Sequence, residues 1–416
     1  MNDTVIVNVR GLEPGEGVIA AWVRIREGKI VELGPHDATP RDDAEFVDGG
    51  GRLLTPGMID IHTHGIEEFA YEFEPDQIVA GSRRLAQFGT TCILPTLYRA
   101  VSRERLGELE RFAAVLSAVE DTCMPGLHLE GPFLALPGGG CQTVPGDLGL
   151  LEELWAAAGG KLAAMSLSPE VQNILPVIER SCELGIVPII THTRATVEQT
   201  EAAINAGARH ATHFYDVFPI PDEVDPGVRP VGAVEAVLAD SRCSVDFVAD
   251  GVHVHPTAIK AVLAAKGFHN ILLTTDSNIG AGLPPGTYDW PLGKIVTGDA
   301  ARILRPGSPM DGVLAGSTLT MDRGMANLLA WLDLPEEQVW AMGTSNVARL
   351  LGLAAKGSLR VGADADLVLW EQNAGRLCAL RTWVAGRQVY CRADADVDDG
   401  SRTRTHLLSG RTAWRP

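Results

Sequence analysis

Two histidines placed two residues apart close a short apolar segment near the start of the chain. The segment MIDIH (58–62) ends in His62, and the spacing His-Thr-His puts His64 two positions later. Side chains at positions i and i+2 of a strand point to the same face, so both imidazoles can reach one metal ion. The pair alone is equally compatible with two hydrogen-bonded histidines beside a turn.

Four further side chains that can bind a metal close other predicted strands: Glu130, His192, His213 and Asp276. The carboxyl ends of parallel strands in a barrel meet at one rim, so all six side chains should converge there. Imidazole and carboxylate ligands suit Zn²⁺, and also Fe²⁺, Mn²⁺ or Co²⁺. The sequence therefore predicts a divalent metal site, with Zn²⁺ as the preferred ion.

Such a site has a specific chemistry. A bound divalent metal lowers the pKa of its water to about 7, which supplies hydroxide at neutral pH. A carboxylate beside that water can take its proton and later pass it to a leaving amine. Asp276 is the predicted proton carrier.

Alternating strands and helices are needed to position these residues. The predicted strands cover 58–62, 91–96, 125–130, 162–167, 186–192, 208–213, 243–249 and 271–276. Predicted helices lie between or after them at 77–88, 103–120, 171–184, 196–206, 232–240 and 320–331. This alternation predicts an α/β fold with a (β/α)8, TIM-like barrel. The Pro- and Gly-rich segments 219–232 and 278–293 are predicted loops at the rim of the barrel.

The two ends of the chain have a different pattern. Short alternating or β-branched segments occur before residue 54 and again between residues 357 and 390. We expect residues 1–54 and 350–393 to form one small β domain, with the barrel in residues 55–349. Residues 394–416 are predicted to be a polar C-terminal tail.

Composition and charge exclude several classes of protein. The 416 residues carry 53 acidic and 35 basic side chains, a net charge of -18. Such a surface repels nucleic acid and anionic lipid. We see no signal peptide in MNDTVIVNVR, and no apolar run approaches the roughly 18 residues that a membrane helix needs. Seven scattered cysteines without a CxxC motif indicate reduced thiols in a cytoplasmic protein.

Longer motifs resemble a known family. The segment LLTPGMIDIHTHG resembles the opening motif of the amidohydrolase superfamily. Further motifs, over about residues 5–390, resemble N-acetylglucosamine-6-phosphate deacetylases: HLEGPFL, SLSPE, THTRAT, ATHFYDVF, ADGVHVHP, TTDSNIGAGLPPGTY, LAGSTLTMD and GSLRVGADADLVLW. The resemblance implies a barrel with a flanking β-sandwich and deacetylation of an N-acetyl amino sugar phosphate.

The resemblance also implies roles for residues of the metal site. Glu130, His192 and His213 match the principal metal ligands of the family, and His62 and His64 match a first-strand pair that some members keep. One or two metal ions are therefore possible, with Glu130 as the bridge between two. A homodimer is implied as well, in which an arginine of the neighbouring subunit contacts the substrate.

The expected substrate contacts depart from the family pattern. His253 matches the histidine that contacts phosphate, whereas Arg229 matches the expected arginine only with an altered spacing. Asp216 and Val217 stand where the family has an Asn-Ala pair, and Gln142 stands in place of a histidine. A carboxylate beside a phosphate is repulsive unless it is neutralised.

Three hypotheses follow. The first is a metal-dependent hydrolase that removes the acetyl group from an N-acetyl amino sugar, with N-acetylglucosamine-6-phosphate or a close relative as the substrate. The second is an N-acyl amino acid deacylase or cyclic amidase that acts on a substrate without phosphate. The third is a non-catalytic scaffold, although no metal ligand is missing.

The roles of two further residues stay open. His128 is either a partner of the metal ligands or a packed histidine, and Trp290 is a candidate substrate contact.

Overall fold

The chain begins with four strands of a single sheet. A computed structural model describes residues 3–40, 42–137, 141–373 and 375–393. The first strands are β1 (Thr4–Glu13), β2 (Gly17–Arg26), β3 (Lys29–Gly34) and β4 (Glu45–Pro56). Strands β1, β2 and β3 form an antiparallel meander, and β4 pairs with β1 in parallel.

The middle of the chain forms an eight-stranded parallel sheet in chain order. Its strands are β5 (Met58–Thr63), β8 (Thr90–Leu97), β9 (Leu127–Glu130), β10 (Leu162–Leu167), β11 (Val187–Ile190), β12 (His210–Ala211), β13 (Ser244–Val248) and β14 (Ile271–Thr274). Two short strands, β6 (Gly65–Ile66) and β7 (Phe69–Ala70), pair with each other after β5. Nearly every residue of the eight strands is buried, as expected of a parallel sheet covered on both faces.

Helices connect these strands and cover the outside of the sheet. They are α1 (Pro75–Ser82), α2 (Leu106–Val115), α3 (Leu148–Ala157), α4 (Ile174–Glu183), α5 (Val197–Ala206), α6 (Ala233–Ala239), α7 (Pro256–Lys266), α8 (Met321–Trp331), α9 (Glu336–Met342) and α10 (Ser345–Leu350). The first seven helices each follow one strand, and the last three follow β14. The predicted (β/α)8 architecture is confirmed.

The barrel closes where its last strand meets its first. The backbone N–H of Asp276 donates to the carbonyl of His62 at 2.8 Å, and the N–H of His64 donates to the carbonyl of Ser277 at 2.7 Å. These two bonds place Asp276 directly beside both histidines of the first strand.

A small antiparallel sheet follows β14, where the sequence predicted only a loop over residues 278–293. Its strands are β15 (Gly286–Trp290), β16 (Gly293–Thr297) and β17 (Ala301–Leu304). The sheet has an apolar face because Trp290, Ile295 and Ile303 pack together in one cluster. This apolar face forms part of one wall of the barrel mouth.

The last strands return to the N-terminal sheet. They are β18 (Leu367–Asn373), β19 (Arg376–Val384) and β20 (Arg387–Cys391), and β18 pairs antiparallel with β4. The result is a seven-stranded sheet built from both chain ends, as predicted, with the order β20-β19-β18-β4-β1-β2-β3. Side chains from both ends share one apolar cluster, in which Val23 and Trp383 are buried.

The domain limits proposed from the sequence, 1–54 with 350–393 and 55–349, remain a prediction. The predicted tail, 394–416, lies outside the described residues. Among the residues that the structure describes, no helix combines the length and the apolar character needed to cross a membrane.

Candidate metal centre and active site

The six predicted metal ligands lie together at the carboxyl end of the barrel. His62 lies in β5 and His64 follows it, Glu130 ends β9, and His192, His213 and Asp276 each come two residues after a strand. All six side chains are buried. Four imidazoles and two carboxylates from strands that are far apart in sequence therefore lie close together.

Glu130 lies at the centre of this group. Its Oε1 atom is 3.1 Å from Nε2 of His192 and 3.4 Å from Nε2 of His213. Its Oε2 atom is 3.4 Å from Nε2 of His64. One carboxylate thus faces histidines from three strands.

Asp276 approaches from the other side of the first-strand pair. Its Oδ1 atom is 3.3 Å from Nε2 of His64 and 3.7 Å from Nε2 of His62. The two Nε2 atoms of His62 and His64 are only 3.2 Å apart.

The outer nitrogen of each ring is held by an acceptor. In three rings Nδ1 lies against a backbone carbonyl oxygen: His64 against Thr96 at 3.2 Å, His192 against Leu136 at 3.1 Å and His213 against Asp216 at 3.3 Å. A carbonyl accepts and cannot donate, so Nδ1 of each ring carries the proton and Nε2 of the neutral ring presents a lone pair. Contacts of this kind orient metal-binding histidines.

His62 is oriented in the same way by a hydroxyl group. Its Nδ1 atom is 3.0 Å from Oγ1 of Thr212, whose hydroxyl donates to Oδ2 of Asp246 at 2.9 Å. The hydroxyl proton is thereby used, so Thr212 accepts from His62. When both rings are neutral, the Nε2 lone pairs of His62 and His64 face each other at 3.2 Å. This arrangement becomes favourable when a positive charge lies between the two lone pairs, so the residues fit a divalent metal.

The electrostatics of the group also favour positive charge. Burial alone would lower the pKa of His213, yet Glu130, Asp216 and Asp276 outweigh it and raise the pKa to about 10. The pKa of His64 is likewise raised well above its ordinary value, because Asp276 and Glu130 outweigh its burial. Burial would raise the pKa of Asp276, but the surrounding imidazoles lower it to about 2.

Three residues of the group have left-handed backbone conformations. The φ angles are 50° at His192, 34° at His213 and 47° at Asp276. Side chains other than glycine rarely adopt such angles, and the strain clusters at functional sites in proteins. The turns that follow the strands thus aim these side chains inward.

Asp246, which the sequence analysis missed, supports one side of the centre. This buried residue of β13 accepts the backbone N–H of His213 at 2.5 Å and the hydroxyl of Thr212 at 2.9 Å. Its Oδ2 atom also lies 2.8 Å from Nε2 of His210. An aspartate inside the apolar segment CSVDFVA was the available signal.

Asp60, also missed, supports the opposite side. Its carboxylate accepts the hydroxyls of Thr274 at 2.9 Å and Thr275 at 2.5 Å, and so ties β5 to β14. Burial raises its pKa to about 6, although these hydrogen bonds oppose the shift. The signal was again a lone aspartate in an apolar strand.

His128 is a packed histidine below the metal centre. Its Nδ1 atom lies 2.9 Å from the carbonyl oxygen of Ile61, and its Nε2 atom lies 2.8 Å from Oγ of Ser166. Both ring nitrogens are thereby engaged, and burial lowers its pKa well below the ordinary value. Its ring contacts the His62 ring from beneath, at 4.8 Å between centroids.

A cavity of about 380 Å³ opens onto the centre. Its lining includes the predicted residues His253, Asp216 and Val217, and an apolar wall formed by Trp290, Ile303, Met310, Val313 and Leu314. The predicted contact Gln142 is not among the described residues that line the cavity, whereas its neighbour Cys141 is. Arg229 lines a separate groove, where it pairs with Glu235 at 2.9 Å.

Cys141 is the unexpected member of the site. Ligand atoms of Cys141, Glu130 and His192 all lie within 4.8 Å of one another. Burial raises the pKa of this thiol well above its ordinary value, and Glu130 adds to the shift. The sequence predicted only an ordinary reduced cysteine here, because the cysteines are scattered and form no CxxC motif.

Comparison with known proteins places this geometry in a family. Residues 53–389 match the amidohydrolase family. The chain belongs to that family. It is 28% identical over 389 residues to an N-acetylglucosamine-6-phosphate deacetylase of Lysinibacillus sphaericus, covering 92% of this chain and 95% of that protein. It is 32% identical over 370 residues to the Vibrio furnissii protein of the same name, covering 87% of this chain and 89% of that one.

Solved structures of other amidohydrolases have the same fold. A mutant N-acetyl-D-glucosamine-6-phosphate deacetylase from Mycobacterium smegmatis, in complex with N-acetyl-D-glucosamine-6-phosphate, superimposes with a TM-score of 0.81. The identity is 26%, and the match covers 94% of this chain and 100% of that one. These relatives favour the amino-sugar deacetylase over the N-acyl amino acid deacylase or cyclic amidase.

Proposed function

We propose that this amidohydrolase removes the acetyl group from an N-acetyl amino sugar, with N-acetylglucosamine-6-phosphate or a close relative as the substrate. The observation that carries the proposal is the buried group of four imidazoles and two carboxylates at the barrel mouth. The names of the relatives and the size of the adjoining cavity support it. A pocket of a few hundred cubic ångströms is the usual size for a small-molecule site.

The residues divide into two roles. His62, His64, Glu130, His192 and His213 would hold one or two divalent cations, and Asp276 would complete the set. Such a cation polarises an amide carbonyl and supplies hydroxide at neutral pH. Oδ1 of Asp276 lies 3.3 Å from Nε2 of His64 and faces the group of ligands, so it can accept a proton there. It then returns the proton to the nitrogen that leaves as the free amine.

The identity of the metal ion, the oligomeric state and the cellular location are also part of the proposal. Zn²⁺ is the proposed ion because its preferred ligands include imidazole and carboxylate. A homodimer is proposed from the family resemblance alone, and sedimentation of the purified protein tests it. A cytoplasmic location is supported by seven cysteines that are all free thiols.

The experiment is acetate release by the metal-loaded protein from N-acetylglucosamine and N-acetylglucosamine-6-phosphate. We expect turnover of at least one of these sugars. Absence of acetate from both, with metal bound to the protein, would overturn the proposed function.

A further inference from the structure

Two cysteines lie side by side at the amino end of the barrel, whereas the metal ligands lie at its carboxyl end. Cys92 is near the start of β8, and Cys123 comes shortly before β9. The backbone N–H of Cys123 donates to the carbonyl of Thr91 at 2.8 Å, and the N–H of Ile93 donates to the carbonyl of Cys123 at 2.9 Å. These two hydrogen bonds hold Cys92 and Cys123 directly opposite each other in a parallel bridge.

This placement suits a disulfide bond. Neighbouring backbone segments of a sheet are about 4.8 Å apart, which lies within the Cα–Cα range of about 4.4–6.8 Å found in disulfides. The two thiols already touch, since the Cys92 thiol donates a hydrogen bond to the sulfur of Cys123. The backbone geometry and the direction of both side chains therefore favour a bond between the two sulfur atoms.

A lysine lies beside one of the two thiols. Nζ of Lys356 is 2.6 Å from Oδ2 of Asp366 and 3.0 Å from Oδ2 of Asp364, so its third N–H is left for the sulfur of Cys123. The hydrogen bond from Cys92 and the charge of Lys356 outweigh burial, and together they lower the pKa of Cys123 to about 7. A large share of this thiol is therefore thiolate at neutral pH, and the thiolate is the reactive form of cysteine.

Solvent access distinguishes the two cysteines. Cys123 is half-buried, so a small oxidant can reach it from solvent. Cys92 is fully buried in an apolar cluster with Ile59 and Leu272. Its hydrogen bond to Cys123 and its burial raise the pKa of Cys92 well above the ordinary value, so it stays a protonated thiol. Cys123 is thus placed to react first, and Cys92 is placed to react with the product.

We propose that Cys123 and Cys92 form a modification site that reacts with hydrogen peroxide and closes to a reversible disulfide. The Cys123 thiolate attacks one peroxide oxygen, and the O–O bond breaks. Cys123 becomes a sulfenic acid, and the hydroxide that leaves combines with the proton that Cys123 released on ionisation. The sulfur of Cys92 then attacks the sulfenic sulfur, so that the S–S bond forms and the S–O bond breaks. The second hydroxide leaves with the Cys92 proton as water.

The balance is two thiols oxidised and one peroxide reduced to two waters. Disulfides in cytoplasmic proteins are usually transient and report the redox state, because cellular thiols reduce them again. A pair that is reduced at rest and closes under peroxide agrees with the free thiols of this chain.

The test uses the full chain loaded with Zn²⁺, an ion without redox chemistry of its own. The protein is treated with hydrogen peroxide and denatured, the remaining thiols are alkylated, and the peptides are analysed by mass spectrometry without reduction. We expect one crosslinked pair of peptides that contains Cys92 and Cys123 and is lighter by two hydrogen atoms than the two reduced peptides together. Alkylation of both cysteines should be lost, and dithiothreitol should restore it.

Three variants separate the roles within the pair. Cys92→Ser removes the second thiol, so Cys123 should stop at the sulfenic acid, which dimedone traps. Cys123→Ser removes the reactive thiolate, so Cys92 should remain alkylated after peroxide treatment. The matched control is Cys182→Ser, at an exposed cysteine of α4, which should leave the crosslink between Cys92 and Cys123 unchanged.

Two results on the unsubstituted protein would overturn the proposal, whether or not the variants fold. One is recovery of Cys92 and Cys123 as free thiols under conditions that oxidise the exposed Cys182. The other is a disulfide that joins Cys92 or Cys123 to a different cysteine. Acetate release plays no part in this test, so either result leaves the proposed deacetylase function standing.

Discussion

The Nε2 atoms of His62 and His64 are the clearest sign that this group of side chains suits a cation. They lie 3.2 Å apart, and each ring has its proton committed on the far side. The group is held by residues that do not line the cavity, such as Thr212 and Asp246. At the residue scale, metal affinity should therefore depend on these supporting groups as well as on the ligands.

Thr212→Val should weaken metal binding. The variant keeps the shape of the side chain but removes the oxygen that accepts from Nδ1 of His62, so the ring loses its orientation and its lone pair is less available. Loss of such a partner typically reduces metal affinity about 10- to 100-fold. Competition with a chromophoric chelator measures the change, and Thr212→Ser, which keeps the hydroxyl, is the control. Equal affinity of the valine and serine variants would contradict this role.

Asp276→Asn should abolish most of the turnover. An amide cannot accept the proton from the attacking water, so we expect kcat to fall by roughly 10² to 10⁴, the usual contribution of a positioned acid–base group. Metal binding should persist in part because Glu130 and the histidines remain. Acetate release and metal content are measured on the same sample. Turnover close to that of the unsubstituted protein would exclude Asp276 as the proton carrier.

The six clustered side chains could be predicted from sequence because each closes a short apolar segment. Parallel strands carry such positions to one rim whatever the details of the loops. Among the supporting residues, Asp60 and Asp246 had a signal as lone aspartates in apolar segments. Thr212 could not be predicted, since it matters only through a neighbour on β5 and another on β13. Cys141 was missed for the same reason: its proximity to Glu130 depends on how the segment after β9 folds back.

At the scale of elements, the barrel strands and the small β15–β17 sheet contribute different parts of the site. The strands place the metal ligands, and β15–β17 provides the apolar wall of the cavity. Proline and glycine in residues 278–293 predicted a loop, yet Thr287, Tyr288 and Trp290 continue as a strand because the sheet buries Trp290 against Ile295. Such packing involves partners that are distant from the local sequence, so the strand could not be predicted.

The first turn of α8 should make stability depend on pH. Burial raises the pKa of Asp322 to about 6, although the hydroxyl of Thr320 donates to it at 2.5 Å. The unfolded value is about 3.9, so the folded protein binds more protons between pH 4 and pH 6. Stability from this group is therefore lost as the pH rises through that window. Between pH 4 and pH 7, the free energy of unfolding of Asp322→Asn should rise by on the order of 2 kcal/mol relative to that of the native protein.

Calorimetric melting of both proteins at the two pH values measures that difference. Effects of other titrating groups cancel because they are common to both proteins. Asp333→Asn, an exposed position after α8, is the control for a general loss of one negative charge. A stability difference for Asp322→Asn that does not change with pH would contradict the pH-dependent role of this partly buried side chain.

The terminal sheet and the barrel share one core at the scale of the whole molecule. Trp370 of β18 is fully buried, donates its indole N–H to Thr55 at 2.8 Å and packs 5.4 Å from the ring of Trp340 in α9. Gly89, before β8, lies so close that an added Cβ would be 2.0 Å from the indole. The two chain ends were predicted to pair, but their attachment to the barrel was not, because it depends on these side-chain contacts.

Trp370→Ala should destabilise the sheet and the barrel together. Removing a buried tryptophan costs about 3–5 kcal/mol, and the cavity would lie between the two parts. We expect one melting transition at a lower Tm, while Trp370→Phe, which loses the hydrogen bond to Thr55 but keeps an aromatic ring, should lose less. Two separate transitions, or an unchanged Tm in the alanine variant, would contradict a shared core.

The most direct test of the metal-dependent deacetylase is acetate release before and after removal of bound metal. The protein is assayed on N-acetylglucosamine and its 6-phosphate, dialysed against a chelator, and assayed again after Zn²⁺ is restored. We expect turnover to disappear with the metal and to return with it, at a fixed number of ions per chain. Turnover that persists in metal-free protein would contradict a metal-dependent deacetylase.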